Sequence, residues 1–530
     1  MVSKALVIII LAGVAAAQRH PPVMRAPANT SDIVIKDFTQ KIDHAPDAGS
    51  GTFKQRYQLN ATYFKPGGPI LFVQSADTGM PAISTSDFID YAPELGALVA
   101  MLEHRYFGDT RGNSYPPGYE PASASKEAFS SLTLDNVLQD GVEFVEWIKS
   151  TVSGAADSKV IYGGASYGGF LAVSARIRHP DTFHGAIASS PALRSFGPLD
   201  TNRFRFEAAK WVNDVYANAS AEASAKIKGA MLEFQRCVQN NTCGSDIPDL
   251  NVCGNATGAA GYEKLYNATM HTYLSVPKYS YPWVGRYPAA DPLADLVAKT
   301  VAARTTGEVL RVPLLAASWA ADARACIEGA NANLSFAAGA ADGADPAARY
   351  IRCAYYAVND VAVPAGNVLP EAFTRGDAPL CREPAWAPPD YRRQNDYFLQ
   401  KYAMTSDVLA SAGRLLVVQG ALDRTAALGL PALDRTAAVG LPALPPDAAR
   451  NRSRVVLVPR LAHAEDAVSE AVEPRGAKAE LDRVRDLKLE HLREWLGQGN
   501  HTLDSSAALP SARGPAVALG LVVWVVLLVW

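Results

Sequence analysis

The sequence has little net charge, and this scarcity narrows the range of functions. Its 530 residues carry 50 Lys and Arg against 53 Asp and Glu, which gives a formal net charge of −3. No arginine-rich run or basic stretch accompanies this balance, so the composition does not indicate a nucleic-acid partner. A hydrophobic content of 48% in a chain of this length is enough for a large core and more than one domain.

Cysteine is also scarce, and the spacing of the cysteines argues against a metal site. The six cysteines are Cys237, Cys243, Cys253, Cys326, Cys353 and Cys381. Their spacing is irregular and no histidine lies close by in sequence, which argues against a zinc site. We predict neither a metal nor a cofactor. An even number of cysteines in an oxidising compartment indicates disulfides, with fifteen pairings open.

Long apolar runs stand out only near the two ends of the sequence. Residues 1–17 contain Lys4, an apolar stretch and three alanines, which is typical of a secretory signal peptide too short to span a bilayer. Residues 515–530 are almost wholly apolar and follow a short polar spacer and small residues at 505–507. This pattern predicts a GPI-attachment signal, with a transmembrane tail as the alternative.

Glycosylation sequons support the same route through the cell. Nine N-x-S/T sequons occur, at Asn29, Asn60, Asn218, Asn240, Asn255, Asn267, Asn333, Asn451 and Asn500. Together with a signal peptide they indicate a glycoprotein of the secretory pathway. We expect the protein outside the cell or lipid-anchored at its surface, with a vacuole or lysosome as the alternative.

The strongest functional signal is a glycine-rich turn around Ser166. Residues 164–168 read Gly-Ala-Ser-Tyr-Gly, which fits the G-x-S-x-G pattern. An apolar β run precedes the turn at 160–162, and a helical run follows at 170–178. This order is typical of a nucleophile elbow, which presents a serine above a helix N-terminus. We expect glycine to be required at 164 and 168, because side chains there would collide with the neighbouring strand and helix.

A serine nucleophile needs a base and an orienting acid, which follow in the order Ser, Asp, His in α/β-hydrolases. The run 414–420 predicts a strand that leads to Asp423, and 454–459 predicts another that leads to His463. Both residues lie just past strand ends, where open α/β sheets place their sites. Ser166, Asp423 and His463 are therefore the predicted catalytic residues, and the Tyr167 N–H is the predicted oxyanion donor.

A tandem duplication complicates the choice of the acid. Residues 421–431 read ALDRTAALGLP and residues 432–442 read ALDRTAAVGLP, so Asp434 is a twin of Asp423. Asp423 follows its strand directly, whereas Asp434 follows only a loop. We favour Asp423, because a catalytic acid must be held rigidly against the imidazole.

Segments on both sides of the elbow carry a resemblance to a known family. They are residues 38–44, 52–57, 64–70, 103–108, 132–133 and 184–190. Here the chain resembles the serine peptidases that include lysosomal prolylcarboxypeptidase, dipeptidyl peptidase II and thymus-specific serine protease. The resemblance implies a hydrolase core under a helical lid and exopeptidase action next to proline. It leaves open whether the enzyme is a carboxypeptidase or a dipeptidyl peptidase.

The chain departs from the family pattern in three places. The family's Asn-Gly-x-x-Asp-Pro-Trp is Gln-Gly-Ala-Leu-Asp-Arg-Thr here, at 419–425. Ala464 follows His463 where the family often has a second histidine, and the loop at 74–79 lacks the usual glycine-rich sequence. These departures leave the three predicted catalytic residues in place. They bear on substrate preference and on the second oxyanion donor, which we expect from residues 74–79.

The separation of Ser166 from Asp423 is far longer than a strand-helix-strand unit requires, which predicts a large insertion. We predict an α/β fold in which an α/β-hydrolase core is interrupted by a disulfide-bearing helical cap. Within the cap, helices are predicted over 206–234 and 291–311, and a flexible loop over 331–348. The predicted divisions are an arm at 18–32, core at 33–191 and 401–498, cap at 192–400, and a linker at 499–514.

These features predict a serine exopeptidase that acts on peptides through an acyl-enzyme. Because the catalytic residues alone do not fix the acyl group, an esterase or lipase on the same fold is one alternative. The altered Asp motif keeps an inactive binding homologue open as another. Peptide substrates are the expected partners, and a homodimer is left open.

Overall fold

The computed structural model describes most of residues 33–498. Within that range it leaves out 47–48, 50, 78, 109–113, 117–126, 196–203, 255–256, 281–288, 290, 319–325, 328–345, 356–360, 375–393, 403–404, 430–452 and 472–477. The predicted signal peptide, N-terminal arm, linker and apolar tail all lie outside the described residues. Within them, no helix is long and apolar enough to cross a membrane.

The described residues contain one mixed sheet of eight strands. Its strands are β1 Ile33–Lys41, β2 Thr52–Asn60, β3 Ile70–Gln74, β4 Leu98–Leu102, β5 Val160–Ala165, β6 Gly185–Ser189, β9 Leu415–Gly420 and β10 Arg454–Val458. They are ordered β1-β2-β4-β3-β5-β6-β9-β10. β1 and β4 each pair antiparallel with β2, and all other neighbours are parallel.

Alternation along the central strands divides the core into two layers. Ile70, Phe72 and Tyr162 face one hydrophobic cluster, whereas Leu71 and Ile161 face another. Since successive strand residues point to opposite faces, the sheet is covered on both sides, as parallel sheets require. Helices α2 Leu134–Thr151 and α3 Tyr167–Arg178 pack in the first cluster, and α1 Phe88–Leu95 and α14 Lys478–Leu496 pack in the second. The predicted α/β-hydrolase class is confirmed by this arrangement.

The chain between β6 and β9 is mainly helical. Its elements are α4 Glu207–Ala219, α5 Ala221–Asn240, α6 Cys243–Asp246, α7 Ala259–Ser275, α8 Pro292–Ala302, α9 Thr306–Ser318, α10 Pro346–Ala354, β7 Val361–Val363, β8 Ala372–Thr374, α11 Gln394–Lys401 and α12 Ser406–Ser411. A short α13, Ala426–Gly429, follows β9. Helices α4 to α9 bury a third hydrophobic cluster of their own, which includes Met231, Tyr273 and Leu310. We refer to residues 204–318 as the helical region.

Three details differ from the sequence prediction. The helix expected over 291–311 is two helices, α8 and α9, which are separated at residues 303–305. The helix expected over 206–234 is two helices, because Ser220 leaves helical geometry and its side chain accepts from Ala223 N to cap α5. Helix α10 begins at Pro346, inside the stretch predicted to be a loop, and its Ile351 belongs to the same buried cluster as residues of α2 and α3. The rest of that predicted loop lies outside the described residues.

Among the described residues of the inserted segment there are two disulfides, Cys237–Cys243 and Cys253–Cys326. The first joins the end of α5 to the start of α6. The second joins Cys253, which precedes α7, to Cys326, which follows α9. Cys381 and the side chain of Cys353 lie outside what the structure describes.

Candidate active site

Ser166 occupies a strained turn between β5 and α3. Its φ of 55° and ψ of −120° lie outside the regions that L-residues favour, as a nucleophile elbow requires. The turn is held because Ser166 N donates to Ser189 O at 2.9 Å. Glycine is needed at 164, since a Cβ there would lie 2.2 Å from the Gly168 carbonyl oxygen. The backbone thus presents the half-buried serine at the edge of the sheet.

The expected collision at Gly168 is wrong. A Cβ at that position would meet only Gln74 O at 3.6 Å and Ala76 Cβ at 3.8 Å, which are ordinary contact distances. Gly169 is the tighter neighbour, because a Cβ there would lie 3.0 Å from Ser189 O. The elbow therefore requires small residues where α3 passes β6, one position later than the motif suggests.

Asp423 lies in the loop after β9 and is completely buried. Its Oδ1 accepts from Thr425 N at 2.9 Å, and its Oδ2 accepts from the Thr425 hydroxyl. Sequence reasoning missed Thr425, which stands two residues after the acid where the family pattern has tryptophan. The available signal was that Thr and Asp two residues apart commonly close a local turn.

His463 lies in the loop after β10, and its Nδ1 is 2.7 Å from Asp423 Oδ2. The loop is held from two sides, because His463 N donates to Lys278 O at 2.7 Å and Ala464 N donates to Ser190 Oγ at 2.9 Å. The Tyr279 ring meets the imidazole edge to face, with centroids 5.9 Å apart. The helical region therefore contributes directly to the surroundings of this histidine.

The sheet register carries Ser166 and His463 to the same edge. Ala165 pairs with Ser189, and Ser189 pairs with Val418 on β9. Within the described residues, no hydrogen bond joins Ser166 Oγ to the imidazole. Such bonds are often long in ligand-free enzymes and shorten when substrate binds. Asp434, the twin of Asp423, lies outside the described residues.

The groups around Asp423 and His463 favour the ionised form of the Asp423 carboxyl. Burial by itself raises the pKa of Asp423, but the His463 imidazole, the Lys278 ammonium and the Thr425 hydroxyl together hold it below its ordinary value. A carboxylate that accepts from Nδ1–H fixes the proton on that nitrogen, which leaves Nε2 as the basic atom. This arrangement can take a proton from a nearby hydroxyl.

The candidate oxyanion site lies between the start of α3 and the loop after β3. Tyr167 is the first residue of α3, so its N–H is among those that have no carbonyl partner within the helix. In the loop, Ser75 N donates to Leu102 O and Ser75 Oγ accepts from His104 N, both at 2.9 Å. Both Ser75 groups are thus occupied, whereas Ala76 lies beside the elbow at Gly168.

Two buried polar groups near the site were not found from sequence. His104 Nδ1 lies 2.7 Å from Arg105 O, and its Nε2 lies 3.2 Å from the Tyr167 hydroxyl. Lys488 Nζ lies 2.8 Å from both Asp87 and Asp466. Asp466 is three residues past His463 in the sequence. His104 was considered only as part of the resemblance, and the Lys488 contacts join distant segments. In the described part of the chain, no three His, Cys, Asp or Glu side chains cluster as metal ligands would.

The sheet, the elbow and the strand-end loops define a protein of the α/β-hydrolase class. The family model described as serine carboxypeptidase S28 matches residues 40–336, which is more than half of the chain. The chain therefore belongs to the serine carboxypeptidase S28 family, a family of serine-type peptidases.

Individual relatives and structures match in part. Lysosomal Pro-X carboxypeptidase of Bos taurus is 29% identical over 265 residues, 49% of this chain and 52% of the relative. A probable extracellular serine carboxypeptidase of Arthroderma benhamiae is 28% identical over 179 residues, 32% of this chain and 24% of the relative. The chain thus spans about half or less of these relatives. Proline iminopeptidase of Mycobacterium smegmatis matches in structure with a TM-score of 0.34 and 12% identity, over 88% of this chain and 100% of that one.

Proposed function

We propose that the protein is a serine exopeptidase that cleaves peptides next to proline through an acyl-enzyme. The observation that carries this proposal is the 2.7 Å contact between His463 Nδ1 and Asp423 Oδ2 at the sheet edge that bears the strained Ser166. Family membership supports peptide substrates, and the name of the Pro-X carboxypeptidase relatives supports proline as the neighbouring residue.

In the proposed first step, Ser166 Oγ bonds to the substrate carbonyl carbon while His463 Nε2 takes the hydroxyl proton. The imidazolium is stabilised by the Asp423 carboxylate and then gives its proton to the departing amine as the C–N bond breaks. Water attacks the resulting ester with the same histidine as base, which releases the acid and restores Ser166. Asp423 stays ionised throughout, in agreement with its lowered pKa.

Two backbone groups would stabilise the oxyanion. The Tyr167 N–H is the first, because the residue after the nucleophile faces the carbonyl oxygen in this fold. We assign the second to the Ala76 N–H, since both Ser75 groups are already bonded and Ala76 lies beside Gly168. Donors of this kind typically contribute about 10²- to 10³-fold to turnover.

We also propose that the enzyme acts in the secretory pathway. The two disulfides support an oxidising compartment, and the printed names of two relatives, one lysosomal and one extracellular, agree with it. Removal of residues 515–530 in exchange for a glycolipid stays a prediction from sequence. Release of the enzyme from intact cells by phosphatidylinositol-specific phospholipase C would test it.

A fluorophosphonate probe combined with a substrate panel tests the catalytic proposal. We expect the probe to label Ser166 in full-length enzyme, and peptides with a penultimate proline to be cleaved in preference to their alanine counterparts and to short acyl esters. If the probe labels Ser166 but the enzyme hydrolyses only the esters, the protein is an esterase and the peptidase proposal is wrong. Absence of both labelling and turnover would indicate an inactive binding homologue.

A further inference from the structure

Lys278 brings a buried positive charge to the neighbourhood of His463. It lies three residues past the end of α7, and its backbone carbonyl accepts from His463 N at 2.7 Å. Only 7% of the residue is exposed. A long cationic side chain is therefore fixed at its base to the loop that carries the candidate catalytic histidine.

The ammonium of Lys278 has no carboxylate partner among the described residues. Its Nζ lies 5.1 Å from the centroid of the Tyr279 ring, the ring that also meets the His463 imidazole. In the part of the chain that the structure describes, no hydrogen bond or ion pair of this amine accompanies that contact. The charge acts on Asp423 only through space, as one of the groups that lower the pKa of its carboxyl.

The amine of Lys278 keeps donors that a ligand could use. An ammonium offers three N–H donors and no acceptor, and none of these donors is bonded to a described residue. The aromatic face of Tyr279 leaves them free, since cation–π contacts stabilise an ammonium but accept no conventional hydrogen bond. An anionic oxygen from a ligand would satisfy the remaining donors.

Resting on the proposed function, we infer that Lys278 is a specificity-determining residue that binds the C-terminal carboxylate of the peptide substrate. This cation, which has no carboxylate partner among the described residues, contacts the Tyr279 ring that also meets the imidazole expected to protonate the leaving amine. In a carboxypeptidase, that amine belongs to the residue that bears the terminal carboxylate, so the two groups are separated by a single Cα. A cation near the imidazole therefore suits a free carboxylate and disfavours a free N-terminal ammonium at the same place.

Two peptides that differ only at the C-terminus test the inference. Both carry an acetylated N-terminus and a penultimate proline, and one ends in a free acid and the other in an amide. We expect full-length wild-type enzyme to prefer the acid. In Lys278→Met, kcat/KM for the acid should fall by about 10- to 100-fold, the size expected for a charge-assisted hydrogen bond, while the amide should change by less than about threefold.

Two further variants serve as controls. Lys264→Met removes a charge from an exposed position on α7, the helix that precedes Lys278, and should leave the hydrolysis of both substrates unchanged. Lys278→Arg keeps the charge and should retain a preference for the acid, which guards against a folding defect in the methionine variant. Secretion and phosphonate labelling of Ser166 report on folding and on nucleophile reactivity in each case.

The outcomes separate this inference from the proposed function. Equal loss of acid and amide hydrolysis in Lys278→Met would assign the lysine to support of Asp423 or of the α7 C-terminus and overturn the inference. An unchanged acid preference, or a wild type that requires a free N-terminus, would overturn it while the peptidase proposal stands. A wild type that labels with the probe but cleaves no peptide would remove both.

Discussion

The hydrolase core and the helical region each contain a buried lysine, and the two lysines differ in their ion pairs. In the core, Lys488 on α14 is fully buried, and its amine lies 2.8 Å from Asp87 and 2.8 Å from Asp466. In the helical region, Lys278 is almost as buried, yet no carboxylate among the described residues pairs with it. Lys488 forms two ion pairs, whereas Lys278 forms none with the residues that the structure describes.

The difference indicates separate roles for the two regions. The ion pair between Lys488 and Asp466 joins α14 to the loop of His463. Asp466 also accepts from Ser189 Oγ at 2.7 Å, which joins the same loop to the end of β6. The charges of the two ion pairs satisfy one another, and they raise the pKa of Lys488 despite the opposing effect of burial. The core thus fixes the chemistry. The helical region adds a charge that has no ion-pair partner among the described residues, so we expect it to govern substrate choice.

The largest expected effect tests whether all the chemistry belongs to the core. Ser166→Ala should reduce hydrolysis of acid and amide peptides alike by at least about 10⁴-fold, because it removes the nucleophile. Secretion and thermal stability should be unchanged, and phosphonate labelling should disappear. Steady-state kinetics on both peptides check this. Residual turnover comparable to wild type would mean that the nucleophile lies elsewhere.

Asp423→Asn should come next, with a loss of about 10³- to 10⁴-fold in kcat, because an amide facing Nδ1 favours the wrong tautomer of His463. Asp434→Asn is the matched control, since it makes the same change in the duplicated sequence. We expect it to retain wild-type turnover. If the Asp434 change is the more damaging, the duplication has transferred the acid to its second copy.

The core could be anticipated from sequence because its signals are local. The apolar runs ahead of Ser166, Asp423 and His463 are strands. Predicted and observed bounds differ by one residue at β9 and at β10, whereas β5 extends three residues beyond the predicted run. Helix α3 begins at Tyr167, three residues before the predicted start, because the elbow leads directly into it. Parallel strands with buried faces show continuous apolar character, which a single sequence displays clearly.

The contacts that surround the site could not be anticipated in the same way. Lys278 and His463 are distant in sequence, and their contact depends on how α7 ends against the loop after β10. The partners of Lys488 are Asp87, which directly precedes α1, and Asp466 in the His463 loop, and no local pattern links these segments. Disulfide pairing was open for a similar reason, since spacing alone does not determine which cysteines meet.

Replacing each of the two lysines should change the free energy of unfolding by different amounts, because only Lys488 forms ion pairs with described residues. Lys488→Met should lower the free energy of unfolding by about 3–5 kcal/mol, because Asp87 and Asp466 would stay buried without their counter-charge. Lys278→Met should cost clearly less, as it breaks no ion pair. Urea denaturation measures both, with the exposed Lys478→Met on α14 as a control expected to change stability by about 1 kcal/mol or less. Equal effects at 488 and 278 would contradict the comparison.

The smallest expected effect compares one histidine from each region. Burial is the main cause that lowers the pKa of His104 in the core and of His271 on α7, each to about 4, and Arg424 adds to it at His271. An unfolded histidine begins to bind a proton near pH 6.5, whereas the folded one stays neutral until about pH 4. The stability that this neutrality contributes is present above pH 6.5 and is lost as pH falls towards 4.

For His104 the loss should amount to about 3 kcal/mol over that range, given 1.36 kcal/mol for each pH unit between the two pKa values. His104→Gln can still donate to Arg105 O and accept from the Tyr167 hydroxyl, but it does not titrate. Its unfolding free energy should therefore decline less between pH 6.5 and 4 than that of the wild type. We expect a smaller difference for His271→Gln, because that side chain is only half-buried and retains more contact with solvent. Parallel pH profiles for wild type and His104→Gln would show that His104 binds its proton over the same pH range in the folded as in the unfolded enzyme, which would contradict the lowered pKa.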